Sequence, residues 1–305
     1  MKKIISICGP TGIGKTSFAI SLAQKFNGEI IGADSMQIYK ELDIGTAKPD
    51  AEELAAATHH LVDFLDPAED YDAGRYVTDA DGVIDTLVDA GKLPIVAGGT
   101  GLYIRALIHG LFRAKPADST MLSTLEKEWE EKGGETLHKE LEACDPVSAA
   151  RIHPNDGFRV IRALEVFRTT GKPISEKQED HGFAEERYQS LTFGLTMDRD
   201  RLYDRINRRV DIMMDQGLLN EVVQLKEKGY SLDLKAMQCI GYRHMGMYLK
   251  GEVDLDEAVR LLKRDTRRYA KRQFTWFRKE PGLIWIEPTD TERAHALVEA
   301  FLNDK

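Results

Sequence analysis

Cysteine is scarce: only Cys8, Cys144 and Cys239 occur in 305 residues, far apart and without a Cys-x-x-Cys pair. That excludes a disulfide framework and a cysteine-rich zinc site, and it fits a reducing, cytoplasmic setting. The histidines include His59-His60 but no His-Glu-x-x-His, so no transition-metal site is expected. No apolar run reaches the roughly 18–20 residues that span a bilayer, which argues against a membrane partner. The apolar start Ile4-Ile5-Ser6-Ile7-Cys8 is too short for a signal peptide and runs into glycines and a lysine instead of a cleavage site. An excess of positive charge is also missing, the formal net charge being −9. A nucleic-acid partner would therefore depend on where the cations are placed, not on their total.

What the chain does have is an alternating pattern. Short β-branched runs at Ile4–Cys8, Glu29–Ala33, His60–Phe64, Pro94–Ala97, Ser190–Thr196 and Leu283–Glu287 read as strands. Most are apolar throughout, as strands covered on both faces are. Helical patterns such as Thr16–Phe26 and Arg75–Ala90 separate the first four, implying βαβ units in a parallel sheet. The alternation stops near Leu111, and long charged helical patterns without a convincing strand run from Lys115 to Arg187. The expected organisation is a core of residues 1–114 and 188–305, with a mostly helical insertion at 115–187.

Between the first strand and the first helix, Gly9-Pro10-Thr11-Gly12-Ile13-Gly14-Lys15-Thr16 matches G-x-x-x-x-G-K-[ST]. Strand before and helix after are the context that makes this a phosphate-binding loop. Glycines let backbone N–H groups turn inward around phosphate oxygens, and the helix N-terminus adds partial positive charge. Lys15 brings a full charge, and the Thr16 hydroxyl can ligate Mg²⁺. The fold class is thus α/β, a P-loop NTPase-like parallel sheet core carrying a helical insertion domain. Such a cradle holds any diphosphate, including one that is leaving.

The second strand ends in Asp34-Ser35-Met36-Gln37-Ile38-Tyr39. Ligands of open parallel sheets bind at the C-terminal strand ends, which puts Asp34 beside the P-loop. By position alone Asp34 could equally cap a helix or serve as an outer partner of a bound Mg²⁺.

Taken together, several segments resemble the bacterial tRNA dimethylallyltransferase (tRNA isopentenyltransferase) family. They are the P-loop, Asp34–Tyr39, Gly45-Thr46-Ala47-Lys48-Pro49, His59-His60-Leu61-Val62-Asp63 and Gly98-Gly99-Thr100-Gly101-Leu102-Tyr103. Asn155-Asp156 with Arg159, Arg162–Val166, Leu202–Val210, Ile240-Gly241-Tyr242-Arg243 and Lys271–Arg278 follow in family order. The resemblance implies transfer of a dimethylallyl group from dimethylallyl diphosphate to N6 of adenosine 37, in the anticodon stem-loop of tRNAs reading codons that begin with U. It implies Mg²⁺ as cofactor, and Thr100 and Arg209 near the leaving group; one active site per chain needs no partner subunit, so a monomer is expected. Read without the family, Thr100 is a turn residue and Arg209 a surface ion pair.

The chemistry suits these residues. An exocyclic adenine amine is a weak nucleophile, so the allylic carbon has to be activated by departure of diphosphate. That needs charge stabilisation on the leaving group and a base for the N6 proton. Lys15, the loop N–H groups and Mg²⁺ at Thr16 answer the first need. Asp34, which when ionised only accepts hydrogen bonds, answers the second.

Val253–Lys279 reads as one long helix opened by Asp254 and Glu257 in a capping-box-like start. On a helical wheel Arg260, Lys263, Arg264, Arg267, Arg268, Lys271, Arg272 and Arg278 share one half, and Ala258, Leu262, Tyr269 and Trp276 lie opposite. This basic stripe suits RNA phosphates, the alternative being a solvated helix with acidic neighbours. A flipped adenine would meet Ser35, Met36 and Gln37 beside Asp34. The resemblance adds Arg243 and Trp276 to the RNA contacts, with Arg159 and Arg162 gripping from the insertion; an ordinary charged helix face is the other reading of those two. Two rival functions use the same features: a small-molecule kinase or NTPase, and a non-catalytic RNA-binding regulator. Against the first, Pro94–Thr100 lacks the aspartate of a nucleotidase strand.

Overall fold

A computed structural model describes residues 1–110, 119–176 and 186–304. Two compact units are present, residues 1–108 with 187–305, and residues 109–186. The expected boundary at 114–115 lies outside the described residues.

In the first unit, β1 (Lys3–Cys8), α1 (Lys15–Lys25), β2 (Gly28–Gly32), α2 (Ala51–Ala56), β3 (His59–His60), α3 (Ala73–Asp89), β4 (Leu93–Gly98) and α4 (Gly101–His109) alternate along the chain. The second unit contributes α5 (Ser119–Lys132), α6 (Gly134–Cys144), α7 (Pro146–Arg151) and α8 (Gly157–Thr170). The chain then returns through β5 (Gln189–Leu195), α9 (Arg199–Asp215), α10 (Leu218–Glu227), α11 (Tyr242–Leu249), α12 (Leu255–Phe277), β6 (Ile284–Ile286) and α13 (Thr291–Asn303).

The six strands form one sheet in the order β3-β2-β4-β1-β5-β6, every pair parallel. Successive side chains of β1 go to opposite faces: Ile4 and Cys8 join one apolar cluster, Ile5 and Ile7 the other. Helices cover both faces, which is why the strands read as unbroken apolar runs and not as alternating ones. Burying one such isoleucine is worth about 1.5–3 kcal/mol, so these clusters anchor the strand ends that carry the site.

One expected strand is much shorter than its pattern. The apolar run His60–Phe64 pairs only through His59 and His60, because Leu61 and Asp63 both take φ 57, a left-handed turn that ends the ladder. Among the described residues of the second unit there is no strand. Its helices enclose a separate core of Leu125, Leu137, Leu141, Val160 and Leu164, with Trp129 packed against it. Arg168 ties two of them together by bonding Glu128 at 2.8 Å and Glu140 at 2.8 Å.

Candidate active site

Strand register brings three loops side by side. Cys8 of β1 is level with Gly98 of β4, and Gly32 of β2 with Ala97, so the P-loop, Thr100 and Asp34 leave the same sheet edge. Glycine is required at 98, where a Cβ would lie 2.0 Å from the Ala33 carbonyl oxygen. The two strand ends therefore touch, and the Thr100 N–H donates to Ala33 O at 3.1 Å. Ser35 N–H in turn donates to Thr100 Oγ1 at 3.0 Å. Thr100 is thus more than a turn residue, since its hydroxyl holds the segment that carries Asp34.

Asp34 caps no helix, because a turn and not a helix follows it. Its Oδ1 accepts from Met36 N at 2.9 Å and Gln37 N at 3.4 Å, closing a turn. Oδ2 takes no hydrogen bond among the described residues. One oxygen therefore fixes the side chain, and the other remains able to accept a proton.

The P-loop turns on Gly12 (φ 79) and on Gly14 (φ 105), the left-handed cap of α1. Pro10 has no N–H, Ile13 N–H bonds Pro10 O at 3.4 Å, and Thr11 N–H bonds the Gln273 side chain at 2.9 Å. The N–H groups left for an anion are those of Gly12 and Gly14, with Lys15 and Thr16 in the first turn of α1. Lys15 Nζ donates to Pro10 O at 3.0 Å. Burial pulls Lys15 down to about 8, against the Asp34 carboxylate, which holds the charge in place. Arg209, from α9, is likewise lowered by burial and supported by Asp34. Neither cation has an ion-pair partner among the described residues, so Arg209 does not fit the alternative reading of a surface ion pair. Two half-buried cations without ion-pair partners, beside a ring of free N–H groups, are an arrangement suited to an anion.

Thr16 opens α1 next to these donors. No group of three or more His, Cys, Asp or Glu able to hold a metal occurs among the described residues. This donor set suits Mg²⁺, which takes one or two protein oxygens and completes its shell with phosphate and water. The Thr16 hydroxyl is the protein oxygen in question.

The Asp34 charge reaches two further groups, neither of them given a site role by the sequence. Burial first, and Asp34 second, push the Cys239 thiol up to about 12 and raise the Tyr269 phenol as well. Met36 packs against the core. Gln37 Nε2 donates to Thr46 O at 3.1 Å and Ala47 O at 2.8 Å, so that the Gly45–Pro49 motif is a loop held against the acceptor side. Lys48 clamps the same loop through Asp43 and Asp63, each at 2.6 Å. From α10, the Glu221 carboxylate accepts from Asp43 N (3.1 Å), Ile44 N (2.8 Å) and Gly45 N (3.2 Å), and also from the Tyr242 hydroxyl.

Helix α12 runs from Leu255 to Phe277, its N-cap Asp254 accepting from Glu257 N at 2.8 Å. The Glu257 side chain does not complete a capping box; it pairs with Arg260 at 2.6 Å. The buried stripe is Ala258, Leu262, Ala270, Gln273 and Phe277. The cations divide along the helix. Lys263 pairs with Asp211 (2.5 Å), Arg264 with Asp265 (2.8 Å), and Arg267 bonds Asn207 (2.5 Å). Arg268 lies 3.7 Å from Asp265, and Arg243 of α11 pairs with the same carboxylate at 2.8 Å. Lys271, Arg272 and Arg278 are exposed and have no acidic partner among the described residues. Trp276 is half-buried, its ring against Gly101 and under the Arg105 guanidinium at 4.6 Å. In the second unit, Arg159 pairs with Asp156 and Arg162 with Glu165.

Family models match this chain twice: "IPP transferase" over residues 37–280 and "Isopentenyl transferase" over residues 2–66. A tRNA dimethylallyltransferase of Desulfosudis oleivorans is 50% identical over 301 residues, covering 98% of this chain and 96% of its own. One from Geobacter sulfurreducens is 50% identical over 285 residues, 93% of this chain and 92% of its own. Among solved structures, the tRNA isopentenylpyrophosphate transferase of Bacillus halodurans is 41% identical with TM-score 0.75, covering 100% of this chain and 98% of that one. A eukaryotic dimethylallyltransferase acting on tRNA is 32% identical with TM-score 0.83, over 100% of this chain and 80% of that one.

Proposed function

This chain belongs to the IPP transferase family of tRNA dimethylallyltransferases, and we propose that it moves a dimethylallyl group from dimethylallyl diphosphate to N6 of adenosine 37 in the tRNA anticodon loop. Family membership favours prenyl transfer over the kinase and the non-catalytic regulator. The observation that carries the substrate assignment is the pair Lys15 and Arg209, half-buried cations without ion-pair partners among the described residues, beside free loop N–H groups.

The residues take complementary roles. Lys15, Arg209 and the N–H groups of Gly12, Gly14, Lys15 and Thr16 bind the diphosphate and stabilise the charge it gains as the allylic C–O bond breaks. The Thr100 hydroxyl accepts from Ser35 N–H at 3.0 Å and donates to Ser35 Oγ at 3.4 Å, a long bond it would exchange for one to the same anion. Thr16 would hold Mg²⁺, which supplies further charge neutralisation on the departing diphosphate. On the acceptor side, Asp34 Oδ2 receives the N6 proton as the C–N bond forms. Met36 and Gln37, held by the Glu221-clamped loop, border the adenine. Incubation with labelled dimethylallyl diphosphate, Mg²⁺ and unmodified tRNA should yield N6-(dimethylallyl)adenosine and diphosphate. Phosphoryl transfer from ATP, with the labelled donor left untouched, would overturn the assignment.

The division of cations along α12 predicts which of them RNA uses. Lys271→Ala and Arg272→Ala should each weaken tRNA binding and lower the slope of log K against log salt by about 0.7–0.9. Arg260→Ala should leave the slope unchanged, because Glu257 already occupies that guanidinium. Filter binding across a salt series separates the two groups. Equal slopes for all three variants would mean that the stripe is only a solvated face.

A further inference from the structure

Gln273 is a polar residue in the buried stripe of α12, 6% exposed. A primary amide there is costly unless both of its ends are satisfied. Both are. Oε1 accepts from Thr11 N at 2.9 Å, and Nε2 donates to Gly99 O at 2.9 Å. The partners fix the orientation of the amide, since a backbone N–H requires an acceptor and a carbonyl a donor. Glycine at 99 is part of the arrangement: a Cβ there would lie 2.4 Å from Gln273 Nε2.

The two partners belong to different halves of the reaction. Thr11 lies in the loop that receives the diphosphate. Gly99 immediately precedes Thr100, whose hydroxyl holds Ser35 next to Asp34. The amide is therefore a strut between the leaving-group cradle and the acceptor turn. It also withdraws Thr11 N–H from the anion. Its own helix presents Lys271 and Arg272 to solvent on the two preceding residues.

We propose that Gln273 is a positioning residue for prenyl transfer, its side-chain amide fixing the span between the diphosphate cradle and the Thr100 turn so that donor carbon and acceptor nitrogen meet. The proposal rests on the prenyl-transfer reading above, which the native enzyme tests separately in the same assay. A strut matters most where both halves act together, in the transition state. A misplacement of about 1 Å can cost about 10²-fold in rate.

The test uses the full chain with Gln273→Leu and Gln273→Glu, each checked for folding by thermal unfolding. Gln273→Leu should lose about 10²-fold in kcat, while its Kd for inorganic diphosphate with Mg²⁺ stays within about threefold of native. Gln273→Glu adds a readout that a packing role would not move. When protonated, the carboxyl can still donate to Gly99 O and accept from Thr11 N–H. When ionised, it sets an anion against that carbonyl and near the diphosphate. Its kcat should therefore fall as pH rises, through an ionisation absent from the native profile. That variant retains a donor at low pH, so it reports on the strut even if the leucine variant fails to fold. The proposal is overturned if kcat is native-like in the variants, if diphosphate affinity accounts for the whole loss, or if the glutamate profile parallels the native one. Loss of transfer by the native enzyme itself would instead remove the prenyl-transfer reading.

Discussion

Asp34→Asn should lower turnover by about 10²–10⁴-fold while leaving inorganic diphosphate bound about as tightly as by the native protein. The substitution separates the two oxygens of one side chain. Asparagine keeps an acceptor for Met36 N–H and Gln37 N–H, so the turn made through Oδ1 survives. It replaces the second oxygen with an amide that cannot take the N6 proton. At pH 7, below the Lys15 titration, the proposed anion site keeps the groups it would use directly, Lys15, Arg209 and backbone N–H groups, although it loses the carboxylate charge that supports both cations. Asp34→Ala should fall at least as far in turnover and, in addition, raise KM for tRNA, because Met36 and Gln37 lose the acceptor that orders them. Single-turnover assays with saturating donor, beside calorimetry with diphosphate, measure both quantities. Near-native turnover by the asparagine variant would remove Asp34 as the base and leave it as a turn residue only.

The parts of this site that could be read in the sequence are those built from neighbouring residues. The P-loop and Asp34-Ser35 each sit at the end of an apolar strand, and a parallel sheet fixes which end carries the ligand. Residues that act across the fold left no local sign. Gln273 meets Thr11 across 262 positions, and Glu221 meets Asp43 across 178. In the sequence the first is one polar residue in a cationic helix, and the second an ordinary acid on a helix face. The partners of the stripe on α12 are hidden in the sequence for the same reason. Its cations were visible, whereas Asp211 and Asn207, which occupy Lys263 and Arg267, come from α9. The strand expected at His60–Phe64 failed locally: its composition is β-like, but Leu61 and Asp63 turn so that Lys48 can reach Asp63. That contact explains why Gly45–Pro49 and His59–Asp63 belong together: one lysine binds the two segments into a single wall of the acceptor side.

Lys15 should make diphosphate affinity and folding stability respond to alkaline pH in opposite directions. Burial lowers this lysine from its ordinary 10.5 to about 8. In the free protein the ammonium is present below pH 8 and progressively lost above it. A bound diphosphate restores the charge, so binding above pH 8 must first recover a proton. The Kd should then rise by up to about tenfold per pH unit. Stability moves the other way. Between pH 8 and 10.5 the unfolded chain holds a proton on this lysine that the folded chain has released, so unfolding takes up a proton. Stability contributed by this group therefore rises with pH through that window and is level outside it. Other groups titrate there too, so the comparison is with Lys15→Met, which should show neither component in the difference curves. Lys15→Arg, charged throughout the range, should bind diphosphate without the step near pH 8 if its longer fork fits the loop. Calorimetric binding of diphosphate and urea unfolding from pH 7 to 10.5 supply the two curves. Parallel loss of affinity and stability, or identical curves for native and methionine proteins, would remove Lys15 as the cation proposed to hold the leaving group.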